Sequence, residues 1–201
     1  MSRPTDARRL VAYGRGISLV ELVVFIAIIS VGLAGILGVM NFTTRASADP
    51  LAQKQALAIA EAYLEEALAM PFTYCDPDDL NAATAENSAG CNSPALIEGL
   101  GAEGGETRSS SATPFDNVSD YASLPAGAPA NADDGTPISG LGTYSVSVAV
   151  VAQALTGSSA SVAATDGSGR PQSVRVTVTV TGPGTTVVLD GYRARYAPNA
   201  F

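Results

Sequence analysis

Apolar and polar positions alternate along this chain in three successive regimes, and each predicts a different element. Ile17 to Met40 is a run of 24 residues with a single ionisable side chain, Glu21. As a helix rising 1.5 Å per residue it would be about 36 Å long, enough to cross a hydrocarbon core of roughly 30 Å. From Leu51 to Met70 the spacing becomes that of an amphipathic helix: Ala56, Ile59, Ala60, Tyr63, Ala67 and Met70 share one stripe, while Lys54, Glu61 and Glu65 face away. Ser47-Ala48-Asp49-Pro50 reads as a pause between the two, with Asp49 as a cap and Pro50 in a first turn, and Pro71 closes the second segment. The two segments are predicted to form an N-terminal helix with a transmembrane half at 17–40 and an amphipathic continuation at 41–71.

The last third has a period of two. Tyr144, Val146, Val148 and Val150 alternate with Ser145, Ser147 and Ala149, and Val174, Val176, Val178 and Val180 alternate with polar residues. Thr181-Gly182-Pro183-Gly184 then turns the chain into Thr185–Tyr196, so the final two strands should form a hairpin. A shorter strand is expected near 159–164. Residues 72–140 lack a clear period and read as an irregular region, and 141–201 as an antiparallel sheet region. The fold class is α+β: a long N-terminal helix packed on a small C-terminal antiparallel sheet.

Composition narrows the chemistry. The chain has no His and no Trp, which removes His-dependent triads, His general bases and most zinc sites. Formal net charge is -8, and without residues 1–16 the balance is 7 basic to 18 acidic side chains. So acidic a surface repels phosphate backbones, and no nucleic-acid partner is expected. Cys75 and Cys91 are the only cysteines and form no CxxC pair, which reads as a structural disulfide in an oxidising compartment. Arg3, Arg8, Arg9 and Arg15 precede the apolar run, so the N-terminus is expected in the cytoplasm and the bulk of the chain outside.

A plain signal anchor explains the length and flanks of that run. A cleaved signal peptide explains the basic start, and Ala46-Ser47-Ala48 resembles its cleavage site, but such a core spans roughly 7–15 residues. Neither accounts for Glu21, since a carboxylate in a spanning helix costs about 2.5–3.5 kcal/mol even on lenient insertion scales. Gly16-Ile17-Ser18-Leu19-Val20-Glu21, followed by a long apolar helix, resembles the processing motif of type IV prepilins and type II secretion pseudopilins. The scattered stretches SADPLAQKQALAIAEAYLEE, CDPDD, FDNVSDYASL, GTYSVSV and VVLDGYRARYAP are similar to the minor pilins of MSHA-type pili.

The resemblance implies that residues 1–16 are a prepilin leader, that an inner-membrane prepilin peptidase cuts between Gly16 and Ile17, and that Ile17 becomes the N-methylated terminus. It implies that Glu21 neutralises a terminal amine during assembly. Physically the pair is sensible: an ammonium at Ile17 lies four residues before Glu21, on the same helix face, and a carboxylate near a helix N-terminus is favoured by the macrodipole. The expected partners are that peptidase, other major and minor pilins, the inner-membrane assembly machinery and the lipid bilayer. The chain is expected in the inner membrane as a single-pass protein, and in the pilus at the cell surface after assembly. Gly32, Gly35 and Gly38 read as small residues that permit close helix packing.

No catalytic set is assigned, and the chain is not expected to be an enzyme. Asp116, Asp120 and Tyr121 read as a turn with polar caps; Asp190, Arg193 and Arg195 read as alternating positions of a terminal strand. No cofactor is expected. Asp76, Asp78, Asp79 and Glu86 are the candidate calcium ligands, and some pseudopilins bind calcium, but their spacing is not that of an EF-hand and Asp-Pro-Asp-Asp is also an ordinary turn and helix start. Asn41-Phe42-Thr43 and Asn117-Val118-Ser119 match the short glycosylation pattern. The rival functions are a minor pseudopilin of a type II secretion system, which shares the N-terminal motif, and an adhesive or glycan-binding module, for which the lack of Trp removes the best stacking residue.

Overall fold

The computed structural model describes residues 16, 18–157 and 161–195, with the side chains of 43–49 excepted. Its first element is α1, Leu19–Ala69. Three short 3-10 turns follow at Ser88–Gly90, Pro94–Leu96 and Asp120–Ser123, and then five strands: β1 Ser145–Ala152, β2 Leu155–Thr156, β3 Ser161–Val162, β4 Ser173–Gly182 and β5 Thr185–Ala194. The chain divides into two compact units, Met1–Ser47 and Ala48–Phe201.

The expected pause at Ser47–Pro50 is not a break in the helix, because α1 is assigned through it with Pro50 inside. A proline removes the one bond its own nitrogen would donate. The run that follows, LAQKQALA, consists of good helix formers and carries the helix onward. In the first unit, Leu19–Phe42 is long and apolar enough to cross a membrane, and none of it is buried within the chain. Ser30 sits inside this stretch with its hydroxyl donating to the Ile26 carbonyl at 2.7 Å. The one hydroxyl near its centre is thus satisfied locally.

In the second unit the amphipathic stripe is buried as its spacing predicts. Ala56, Ala60 and Ala67 are fully covered and Ile59 and Tyr63 nearly so, whereas Lys54, Glu61 and Glu65 are exposed. Met70 lies just beyond the helix and is half-buried. The stripe packs with the inner face of a three-stranded antiparallel sheet of order β1-β4-β5. Register puts Val146 opposite Val180, Val148 opposite Val178 and Val150 opposite Val176, so the buried valines of β1 and β4 form cross-strand rows. β4 is central, and its four alternating valines are fully buried. β4 and β5 form the expected hairpin, closed by Pro183 and by Gly184 at φ 69°. The short strand expected near 159–164 is β3, paired with β2 as a separate two-stranded ribbon.

Gly182 is needed for close approach. A Cβ there would lie 2.3 Å from Cε1 and 2.4 Å from Cδ1 of Tyr144. The ring cannot retreat freely, because Tyr144 is buried and its hydroxyl donates to Gln55 Oε1 at 2.7 Å. Gly182→Ala should therefore destabilise by about 1–3 kcal/mol, the range of an overpacked core. Urea unfolding followed by circular dichroism checks this, and an unchanged midpoint would contradict it.

Residues 72–140 carry only short 3-10 turns and isolated bridges, in keeping with their irregular pattern. A Cys75–Cys91 disulfide staples the start of this region. On the chain-entropy view, a loop of this size contributes about 3 kcal/mol. The bridge between Cys75 and Ile97 lays residues 74–76 against 96–98, with Asp76 N donating to Leu96 O and Glu98 N to Tyr74 O.

Candidate functional site

Two regions carry unusual chemistry, and the first is the N-terminal motif. Gly16 and Ser18 are not helical, and Leu22 N donates to Ser18 O at 3.1 Å, so the helix starts with Ser18 as its flanking residue. Glu21 is exposed in the first turn of α1, where a negative charge meets the positive end of the helix dipole. Ile17 and the arginines at positions 3, 8, 9 and 15 lie outside the described residues. An added Cβ at Gly32, Gly35 or Gly38 would meet nothing within 4 Å in this chain.

The second region was not legible as a group in the sequence. Six carboxylates converge beneath the disulfide loop. Asp76, Glu106 and Asp116 have ligand oxygens all within 4.8 Å of one another, and so do Glu98, Glu103 and Asp120. Asp76, Glu98 and Asp120 are buried. Local bonds fix one oxygen of several of them. Asp120 Oδ2 accepts from the amides of Asn117 at 2.7 Å and Asp116 at 3.1 Å. Glu98 Oε2 accepts from the Ser119 hydroxyl, Glu103 Oε1 from the Gly99 amide and Asp76 Oδ1 from the Asp78 amide. Glu103 Oε2, Glu106 Oε2, Asp116 Oδ1 and Asp120 Oδ1 are buried without a hydrogen-bond partner.

Burial raises the proton affinity of the whole group, and the crowding of like charges adds to it. Burial, and then the charges of Asp120 and Glu103, push Glu98 far above the carboxylate range. Burial followed by the neighbouring acids lifts Glu106 to about 8 and Asp116 to about 7. Asp120 also reaches about 7, although its two amide bonds pull the other way. Burial raises Asp76 and Glu103 as well. Arg195 lies near this group, with its guanidinium stacked 4.3 Å from the centre of the Phe72 ring and 4.5 Å from that of Tyr74. Among the described residues, the one ion pair within 4.0 Å is Arg108–Glu66, so no arginine or lysine pairs with any of the six acids.

The four calcium candidates named from the sequence do not gather together. Asp76 joins the cluster. Asp79 instead accepts from the amides of Asn81, Asn92 and Ser93, bracing the disulfide loop, and Asp78 and Glu86 are exposed. Asp116 and Asp120 do form a capped turn, as expected, but that turn also delivers both carboxylates to the cluster. Asp190 and Tyr192 are exposed on β5, where Asp190 accepts from Thr177, while Arg193 turns inward and donates to Met70 O near the end of α1. Asn117 is no glycosylation acceptor in the folded chain. It is fully buried, donating to Thr73 Oγ1 and accepting from the Ser119 amide. Asn41 is exposed on α1.

A second polar assembly, also unanticipated, joins α1 to the irregular region. Arg108 donates through Nε and an Nη to the two oxygens of Glu66, both at 2.7 Å, and through its other Nη to Ala130 O at 2.9 Å. Its guanidinium lies 4.5 Å from the centre of the Tyr63 ring, and Tyr121 donates its hydroxyl to Glu66 Oε1 at 2.8 Å. Tyr63, Arg108 and Ala130 border a cavity of about 310 Å³ that is also lined by Phe115, Leu124 and Val146. With both Glu66 oxygens bonded to Arg108, the charge in this cavity serves the fold.

The sequence held one signal for the Arg108 pair: Arg108 is the sole cation between Lys54 and Arg170. Comparison with protein-family models, characterised proteins and solved structures gives no match to the chain.

Proposed function

We propose that this chain is a minor structural subunit of an MSHA-like type IV pilus, made as a prepilin, cleaved after Gly16 and held in the inner membrane before assembly. The observation that carries the reading is Glu21 in the first turn of an apolar helix, five residues after a glycine in non-helical backbone. A lone carboxylate in lipid needs a counter-charge, and cleavage before Ile17 creates one four residues away. The same motif serves type II secretion pseudopilins; the scattered stretches similar to MSHA minor pilins favour the pilus. In this role the chain assembles with other pilins and catalyses nothing.

Glu21→Val tests the reading. The variant should be processed normally, because Glu21 lies beyond the scissile bond, yet be depleted from sheared pili. Loss of a compensating charge worth about 2.5–3.5 kcal/mol in lipid corresponds to roughly a hundredfold in an assembly equilibrium. Immunoblotting of sheared filaments against membranes measures the ratio, and wild-type recovery in filaments would contradict the proposed role.

A further inference from the structure

We infer that Asp76, Glu98, Glu103, Glu106, Asp116 and Asp120 form a binding site for a hard divalent cation, and that the cation is calcium. This does not rest on the pilus reading. Proximity of acids alone would be weak grounds; the decisive residue is Asp120. It is fully buried, its Oδ2 is held by two backbone amides, and its Oδ1 is buried without a partner. Asp120 belongs to the triad with Glu98 and Glu103 whose ligand oxygens lie within 4.8 Å of one another. A buried carboxylate oxygen left unbonded among other acids is unfavourable unless a proton or a cation reaches it, and one divalent cation can satisfy several such oxygens at once. Glu103 is half-buried, with Oε1 on the Gly99 amide and its carboxyl against that of Glu98 in the same triad.

The fold fixes these oxygens from three separate stretches. The disulfide and the Cys75–Ile97 bridge set Asp76 and Glu98; the Gly-rich segment, with Gly101, Gly104 and Gly105 at positive φ, brings Glu103 and Glu106 back; the Asn117–Asp120 turn supplies Asp116 and Asp120. Ligand chemistry selects the ion. With no histidine and both cysteines in the disulfide, the site offers oxygen alone, which excludes a zinc-type centre. Calcium accepts six to eight oxygens in irregular geometry, whereas magnesium demands a near-ideal octahedron and keeps several waters, which a buried site rich in carboxylates disfavours.

The test uses the full chain in detergent, stripped with a chelator and exchanged into metal-free buffer. Calorimetric titration with calcium chloride should give saturable binding tighter than about 1 mM, with magnesium at least about tenfold weaker. At calcium about a hundredfold above its Kd, the melting temperature should rise by about 5–10 °C. Asp120→Asn and Glu103→Gln each keep a carbonyl oxygen for the bonded amides while replacing the unpartnered oxygen. Each should weaken calcium binding by about tenfold or more, since affinity follows the ligand charge count. Without metal, each should melt at or above the wild-type temperature, because one repelling charge is gone. No saturable calcium binding and no calcium-dependent shift in the wild-type chain would overturn the site. So would unchanged calcium affinity in both variants, or a preference for magnesium.

Discussion

A chain carrying arginine in place of Gly16 is expected to keep residues 1–16 and to accumulate in membranes as the uncleaved precursor. Gly16 is exposed and non-helical, and α1 does not begin until Leu19. Glycine lets an enzyme's backbone and catalytic groups approach the bond after it closely; a long cationic side chain at the same place obstructs them. The effect should be close to complete, with the mature form falling below detection. Gly16→Ala adds one methyl, which has nothing within 4 Å to strike in this chain, so slower cleavage of that variant would report on the peptidase and not on folding. Immunoblotting of membranes separates the two forms by the mass of the leader. Normal maturation of the arginine variant would count against a prepilin.

The largest stability effect is expected at Arg108. Its side chain is 10% exposed and that of Glu66 22%, so the pair is mostly desolvated. Arg108→Met leaves the mostly covered Glu66 with only the Tyr121 hydroxyl, and removes the donor to Ala130 O and the cation over Tyr63. Breaking one side of a buried pair costs about 3–5 kcal/mol; the residual exposure of Glu66 brings the expected loss to about 2–4 kcal/mol. That corresponds to a fall in melting temperature of roughly 5–15 °C. The double variant Glu66→Leu with Arg108→Met should cost less than the sum of the two single changes, because neither group is then left stranded. A loss under about 0.5 kcal/mol for Arg108→Met would place the pair with ordinary surface ion pairs.

The same pair gives a pH signature. Burial raises the Glu66 carboxyl, but hydrogen bonds from Arg108 and Tyr121, with the Arg108 charge, outweigh it and hold the group below its ordinary value. A carboxylate depressed in the folded state stabilises above its unfolded pKa, and that contribution is lost as pH falls through the folded value. The stability difference between wild type and Arg108→Met should therefore be full near neutrality and shrink below the ordinary glutamate range.

Where the fold was readable, a short-range period carried the information. Ala56, Ile59, Ala60, Tyr63 and Ala67 could be placed on a buried face because helical spacing fixes which side chains share it. The valines of β1 and β4 could be placed by alternation, and Gly182-Pro183-Gly184 marked the hairpin. Asp49-Pro50 left the join between the two helical segments open, because a cap and a first-turn proline look the same in sequence whether a helix starts there or continues through; α1 runs through it, as the predicted continuation has it. The acidic cluster has no period to read. Asp76, Glu98 and Asp120 are brought together by a disulfide, an isolated bridge and positive-φ glycines, and their spacing records none of that closure. Asp78, Asp79 and Glu86 were attractive only because they lie near Asp76 in sequence. Asn117 satisfied a three-residue pattern whose accessibility depends on Thr73, 44 positions away.

The central claim is that proteolysis supplies the positive partner of Glu21. N-terminal sequencing and intact mass of the protein isolated from its native membrane test this most directly. The account predicts a chain that begins at Ile17 with a methylated amine. A chain that begins at Met1, or beyond Ala48, would contradict it.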